Sequence, residues 1–280
     1  MNNLSDYLAA SNKLLSEKLP SDLYRLLRFR LQDFAGFTLG HDLRLLASIY
    51  RSDKGTVHDY VELYSRAFQE KRLDKLLIFE IGVGGYNEPT AGGQSLRMWS
   101  RYFPNSIVIG IDYYRKDLSL PSNVFLERAD QSQCHELKAI VDKYGPPDIV
   151  IDDGSHYSDH IISSFLCLYP FVRPGGFYCI EDLHTSYWPS GFCGNDWEGS
   201  IDVYSKSTSI ALIKRCIDSL NISDMLEKPI DSLPSDGDLQ GIFCSRGLAI
   251  LQKKSLSDRD KGPQHIRAMR HSSIVDNARG

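Results

Sequence analysis

Residues 76–86 read LLIFEIGVGGY: five apolar side chains around one acid, Glu80, followed by glycines at 82, 84 and 85. A continuous apolar run of that length is the pattern of a strand buried on both faces, as in the middle of a parallel sheet. The glycines after it let the backbone turn sharply and come close to a ligand. Four more runs of the same kind follow: SIVIGID (106–112), NVFLERAD (123–130), PDIVIDD (147–153) and GFYCIED (176–182). Helix-like stretches at 95–103, 133–144 and 158–171 lie between most of them. This alternation predicts an α/β fold, a Rossmann-like, doubly wound, mostly parallel sheet covered on both sides. A helix near 208–220 and the strand-like segment GIFCSRGLAILQ (241–252), turning at Arg246-Gly247, complete the sheet.

Outward from this core, residues 5–35 keep roughly helical spacing through Leu14, Leu15, Leu19, Leu23, Leu26, Leu27 and Leu31, with a break at Pro20. They predict an N-terminal helical extension, either a cap on the main domain or part of an oligomer contact. A further helix carries Tyr60, Leu63, Tyr64 and Phe68, after the polar turn Ser52-Asp53-Lys54-Gly55. The segment after Lys253 is polar and mixed in charge, as a loosely held tail would be. The expected organisation is an extension over 1–45, a ligand-binding domain over 46–254 and a tail over 255–280.

The 280 residues carry 32 Lys and Arg against 36 Asp and Glu, a net charge of −4. Mild acidity without clustered basic residues excludes nucleic acid as the main partner. No apolar run approaches the length of a membrane span, and the N-terminus lacks the pattern of a secretory signal, so a cytoplasmic protein is expected. The six cysteines, Cys134, Cys167, Cys179, Cys193, Cys216 and Cys244, form no C-x-x-C pair and read as reduced thiols.

Ligands in open α/β sheets sit beyond the carboxyl ends of the strands, so the residues there carry the functional reading. A dinucleotide-binding turn needs G-x-G-x-x-G, but position 87 is Asn. Glu80 before the turn and Asp112 ending the next strand, placed to hold a ribose diol, suit instead an adenosine without pyrophosphate, with S-adenosylmethionine (SAM) as the candidate. Asp130 and Gln131, ending the third strand, can hydrogen-bond an adenine. The fourth and fifth segments end in Asp152-Asp153-Gly-Ser-His156 and Glu181-Asp182-Leu-His184. If those strands are neighbours, Asp153, Glu181 and Asp182 crowd one small site, provided that the chain leaves the sheet between 181 and 182. Packed carboxylates repel, a divalent cation relieves them, and an all-oxygen set favours Mg²⁺ or Mn²⁺. His156 overhangs the same place as a candidate general base. His184 is a weaker rival, and His160 is expected to face outward. Tyr187, Trp188 and Trp197 follow directly and suit an acceptor pocket.

These residues carry a family resemblance. EIGVGGY, AGGQSLRMW, IDDGSH and IEDLHTSYW resemble the metal-dependent sugar O-methyltransferases of macrolide antibiotic assembly, over roughly residues 45–200. The resemblance implies a class I SAM-dependent methyltransferase fold with catalytic Mg²⁺. It matches Asp153, Glu181 and Asp182 to the metal ligands and His156 to the base. It matches Glu80, Gly82, Gly84, Gly85, Tyr86, Ser95, Asp112, Asp130 and Asp152 to the SAM site, and SDKGTVHDY (52–60) to a segment closing over the cofactor. The chain departs from the pattern in lacking a sizeable extra N-terminal domain. The expected function is Mg²⁺-dependent methyl transfer from SAM to a sugar hydroxyl of a small-molecule glycoside by a homo-oligomeric enzyme. The alternatives are a non-catalytic SAM-binding protein, a relative of the cephalosporin 7-α-hydroxylase partner proteins, a Mg²⁺-dependent phosphoryl-transfer or hydrolytic enzyme, and an O-methyltransferase acting on another diol such as a polysaccharide sugar.

Overall fold

The five apolar segments are five neighbouring parallel strands. A computed structural model describes Lys18 and residues 20–259. The expectations for Leu14, Leu15, Leu19 and all but the start of the C-terminal tail lie outside the described residues. The strands are β1 (Leu77–Ile81), β2 (Ile107–Asp112), β3 (Val124–Arg128), β4 (Ile149–Asp152) and β5 (Phe177–Ile180). β6 (Leu239–Ser245) and β7 (Leu248–Lys253) form the hairpin turning at Arg246-Gly247. The sheet order is β3-β2-β1-β4-β5-β7-β6, with β7 antiparallel to both of its neighbours.

Alternation along each strand divides the core into two layers. Ile78, Ile149, Ile151, Phe177 and Cys179 meet one set of helices: α2 (Leu43–Tyr50), α4 (Val61–Phe68) and α5 (Gln94–Tyr102). Leu77, Phe79, Ile81, Val150, Tyr178 and Ile180 meet the other: α6 (Cys134–Tyr144), α7 (Ser158–Leu168) and α8 (Ser209–Asn221). α7 ends earlier than the expected residue 171; a 3-10 turn over Tyr169–Phe171 contains Pro170, which cannot continue the helix.

Within the extension, α1 (Ser21–Leu39) follows Pro20 directly. It caps the main core: Gln32 Nε2 donates to Ile49 O at 2.6 Å, and Asp33 pairs with Arg101 at 3.3 Å. α2, capped by Asp42, spans the expected boundary at residue 45, and its Leu43, Leu46 and Ala47 belong to the main core. Between α2 and α4 lies a one-turn helix, α3 (Asp53–Thr56).

One expectation is corrected. Cys134 and Cys167 form a disulfide between the start of α6 and the end of α7, with Cα atoms 5.5 Å apart. Cys179 and Cys216 are buried thiols, and Cys193 and Cys244 are exposed. The two helices pack side by side on the sheet, so residues 33 apart meet. Among the described residues, no helix is long and apolar enough to cross a membrane.

Candidate active site

β1 and β4 are adjacent, and the chain runs outward from them in opposite directions, leaving a crevice at their carboxyl ends. Gly82 sits there with φ +91°, and a Cβ on it would lie 1.9 Å from Asp153 O. The following loop is tied down: Asp112 Oδ2 accepts from Val83 N at 2.9 Å, and Gly93 N donates to Val83 O at 2.7 Å. A Cβ on Gly92 would meet the Val83 and Gly84 carbonyl oxygens at 2.4 Å. Gly92 therefore supplies the close backbone approach that Asn87 does not; its signal was the glycine pair directly before α5.

Glu80 is fully buried, faced by Ser95, Trp99 and Lys54. Burial, only partly offset by Lys54, pushes its carboxyl up to about 7. Asp112 also accepts from Tyr114 N at 2.8 Å, and Asp130 accepts from Ser132 N and Oγ at 2.9 and 2.7 Å. Gln131 is buried, donating to Asp152 Oδ1 at 3.0 Å and accepting from Ser155 N at 2.7 Å. Asp152 lies in the α7 layer, opposite to Glu80, where Ser164 and Tyr178 also donate to it. Burial raises its carboxyl to about 6. Tyr86 is exposed at φ +46°.

The acids beyond the ends of β4 and β5 converge because these strands are neighbours, with Asp152 paired to Ile180. Asp182 has φ +52°, so the chain turns out of the sheet after Glu181, as sharing a site requires. Asp153, His156 and Asp182 each offer a ligand atom, all within 4.8 Å of one another. His156 Nε2 lies 3.5 Å from Asp182 Oδ2. Its Nδ1 is buried without a hydrogen-bond partner among the described residues. Its φ is +60°, and Thr185 Oγ1 donates to its carbonyl oxygen at 2.9 Å. Burial opposes ionisation of Asp182, but His156 and the Tyr60 hydroxyl outweigh it and hold the carboxyl below its ordinary value. Two carboxylates and an imidazole suit a divalent cation. Glu181 stands just behind them, its Oε1 accepting from Tyr64 Oη at 2.6 Å and Lys54 Nζ at 2.8 Å.

Sequence reasoning placed Lys54 and Tyr60 only in a segment matched to one closing over the cofactor, and Tyr64 only on a helix; it missed that they reach the acids from α3, the loop after it and α4. It also expected His160 to face outward, whereas its Nδ1 lies 2.9 Å from Ser155 Oγ. His184 lies 3.9 Å from Asp182 and packs on Trp188 at 4.8 Å. Trp188 in turn contacts Phe192 and Trp197, and Tyr157 contacts Trp197, an aromatic wall beside the acids.

No family model matches the chain. Among curated proteins, it is 38% identical over 222 residues to 8-demethyl-8-alpha-L-rhamnosyl tetracenomycin-C 2'-O-methyltransferase of Streptomyces olivaceus, covering 78% of this chain and 57% of that protein. It is 40% identical to demethylmacrocin O-methyltransferase of Streptomyces fradiae, covering 76% of this chain and 53% of that protein. Its relatives are O-methyltransferases. The solved MycE methyltransferase of the mycinamycin biosynthetic pathway, in complex with Mg and SAH, superimposes with a TM-score of 0.70 at 37% identity, over 80% of this chain and 56% of that one. The fold is the class I methyltransferase fold that the motifs led us to expect. The chain spans a little over half the length of these relatives.

Proposed function

We propose that this protein transfers a methyl group from SAM to a sugar hydroxyl of a natural-product glycoside, with a divalent cation, Mg²⁺, held by Asp153, Glu181 and Asp182. The observation that carries the reading is the convergence at the strand ends, beside the Gly82–Gly85 loop, of Asp153 and Asp182 with His156, within 4.8 Å of one another, and of Glu181, which shares the Lys54 ammonium with Asp153. The relatives named above support it, one acting on a rhamnosyl tetracenomycin, as does the presence of Mg and SAH in the MycE structure.

In this reading Glu80, Ser95, Asp112, Asp130 and the backbone of the Gly82–Gly85 loop bind and orient SAM, with Tyr86 at its rim, while Asp152, bonded to Gln131, Ser164 and Tyr178, supports the site from the opposite layer. When bound, the cation supplies positive charge that makes an acceptor hydroxyl more acidic. His156 Nε2, the ring nitrogen toward Asp182, takes the hydroxyl proton. The oxygen then attacks the sulfonium methyl in one displacement: the C–O bond forms as the C–S bond breaks and leaves the neutral thioether. SAM is already activated, so holding oxygen and methyl in line provides much of the rate gain. The wall of Trp188, Phe192 and Trp197 stacks on the acceptor.

The exposed row Leu23, Leu27, Leu31, Phe34 and Phe37 on α1 supports a homo-oligomer. A cytoplasmic setting accords with a SAM-consuming reaction.

The test is titration of SAM into EDTA-treated protein, repeated with Mg²⁺ and a panel of glycosides and polysaccharides. Micromolar SAM binding, with acceptor binding only when Mg²⁺ is present, is expected; no SAM binding under any condition refutes the reading. His156→Ala is expected to keep SAM binding and lose roughly 10²- to 10⁴-fold in kcat. Full turnover in that variant removes His156 as the base.

A further inference from the structure

The proposed reaction makes no use of a buried charge that stands among its own acids. Lys54 is fully buried, its Nζ 2.6 Å from Asp153 Oδ2, 2.8 Å from Glu181 Oε1 and 3.3 Å from Glu80 Oε1. A buried ammonium needs carboxylate partners, and Lys54 has three within 3.3 Å. The segment delivering it is tightly seated: a Cβ on Gly55 would lie 2.6 Å from Ala47 Cβ, and Tyr60 N donates to Lys54 O at 3.0 Å. Glu80 belongs to the cofactor side, whereas Asp153 and Glu181 belong to the metal side. One ammonium thus joins the two halves of the site.

We infer that Lys54 is the resident counter-charge of this site, a positioning residue that keeps Asp153 and Glu181 assembled, and tied to Glu80, when no divalent cation is bound. The inference rests on the cation site proposed above. Four acids, Glu80, Asp153, Glu181 and Asp182, gather here, and Lys54 Nζ lies within 3.3 Å of three of them. Because Lys54 is enclosed, it adds to the cation rather than being displaced by it.

The test is thermal melting of EDTA-treated protein, with and without millimolar Mg²⁺, for the wild type and Lys54→Met. The isosteric apolar side chain leaves three buried acids uncompensated, so the variant melts about 10 °C lower in EDTA. Mg²⁺ recovers at least half of that loss and moves the wild type by only a few degrees. A Lys54 that served packing alone would give a destabilised variant that Mg²⁺ does not rescue. That outcome overturns the inference, as do equal Mg²⁺ shifts in both proteins or no loss in EDTA.

If Lys54→Met does not fold, Lys54→Met/Glu181→Gln decides. It removes one charge of each sign, leaves the net charge of the cluster unchanged, and melts in EDTA within a few degrees of the wild type. A double variant that also fails to fold, or melts about 10 °C low, overturns the inference. The methyl-transfer assay of the wild type is read separately. Its failure removes the proposed reaction, while the Mg²⁺-dependent melting still stands or falls on its own.

Discussion

Tyr60 donates its hydroxyl hydrogen to Asp182 Oδ1 at 2.7 Å, across 122 residues of chain. Asp182 sits in the left-handed region, a conformation that its own side chain does little to hold. The tyrosine fixes one carboxylate oxygen from outside the sheet and leaves the other toward His156. Tyr64 does the same for Glu181 one turn further along the chain. Partners of this kind aim a ligand without touching the ion.

Tyr60→Phe removes that hydroxyl and little else. We expect Mg²⁺ affinity to fall by roughly tenfold, the lower end of the effect of losing such a partner. The fold should lose only about 1–2 kcal/mol. Calorimetric titration with Mg²⁺ and urea denaturation separate the two effects. Unchanged Mg²⁺ affinity would mean that Tyr60 does not orient a ligand.

Gly82→Ala strikes the crevice between β1 and β4. The added Cβ would overlap Asp153 O, a backbone atom that cannot swing away, at a φ that side chains other than glycine rarely adopt. The clash moves either the Gly82–Gly85 loop or Asp153. A stability loss of about 2–3 kcal/mol or more is expected, with SAM binding weakened alongside. Wild-type SAM affinity in a folded Gly82→Ala protein would place the cofactor elsewhere.

The strands and most helices were legible in the sequence because burial on both faces writes a continuous apolar run. Residues 76–82 and 147–153 become β1 and β4 with their ends trimmed by one or two positions. The acids at 153, 181 and 182 were legible because a parallel sheet brings its strand ends together whatever lies between them. Lys54 was not. Lysine is rarely buried, and no periodicity announces an ammonium whose carboxylate partner lies 99 residues away. Asp152 and Asp153 look equivalent in sequence, yet alternation sends their side chains to opposite layers of the core. α2 was not read: Leu43, Leu46, Ala47 and Tyr50 follow helical spacing, but the helix straddles the place where a domain boundary was expected.

The disulfide gives a prediction independent of the site. Cys134 and Cys167 close a 33-residue separation and lie in the layer away from Lys54 and Glu80. Loop-closure entropy for that length amounts to about 3–4 kcal/mol. Dithiothreitol, or Cys134→Ala with Cys167→Ala, should lower stability toward urea by up to that amount and leave SAM affinity unchanged. Identical urea midpoints with and without reductant would show that the bond is not formed in solution.

Asp236 fixes the stretch before β6 onto α8. Its carboxylate accepts from Ser219 Oγ at 2.6 Å, Arg215 Nη2 at 2.8 Å and Leu233 N at 2.9 Å. Burial pushes its carboxyl up, but these three donors outweigh that and hold it below the ordinary value of 3.8. A depressed carboxyl contributes stability that is fully present above the unfolded-state value and is lost as pH falls through the folded-state value. The wild type should therefore lose this contribution only below about pH 4. Asp236→Asn lacks the charge at every pH and should be less stable by on the order of 2 kcal/mol at neutrality. Its stability should converge with that of the wild type toward pH 2. Urea midpoints from pH 7 down to 2 measure the gap; a constant difference across that range would show that the carboxylate charge is not what holds the segment.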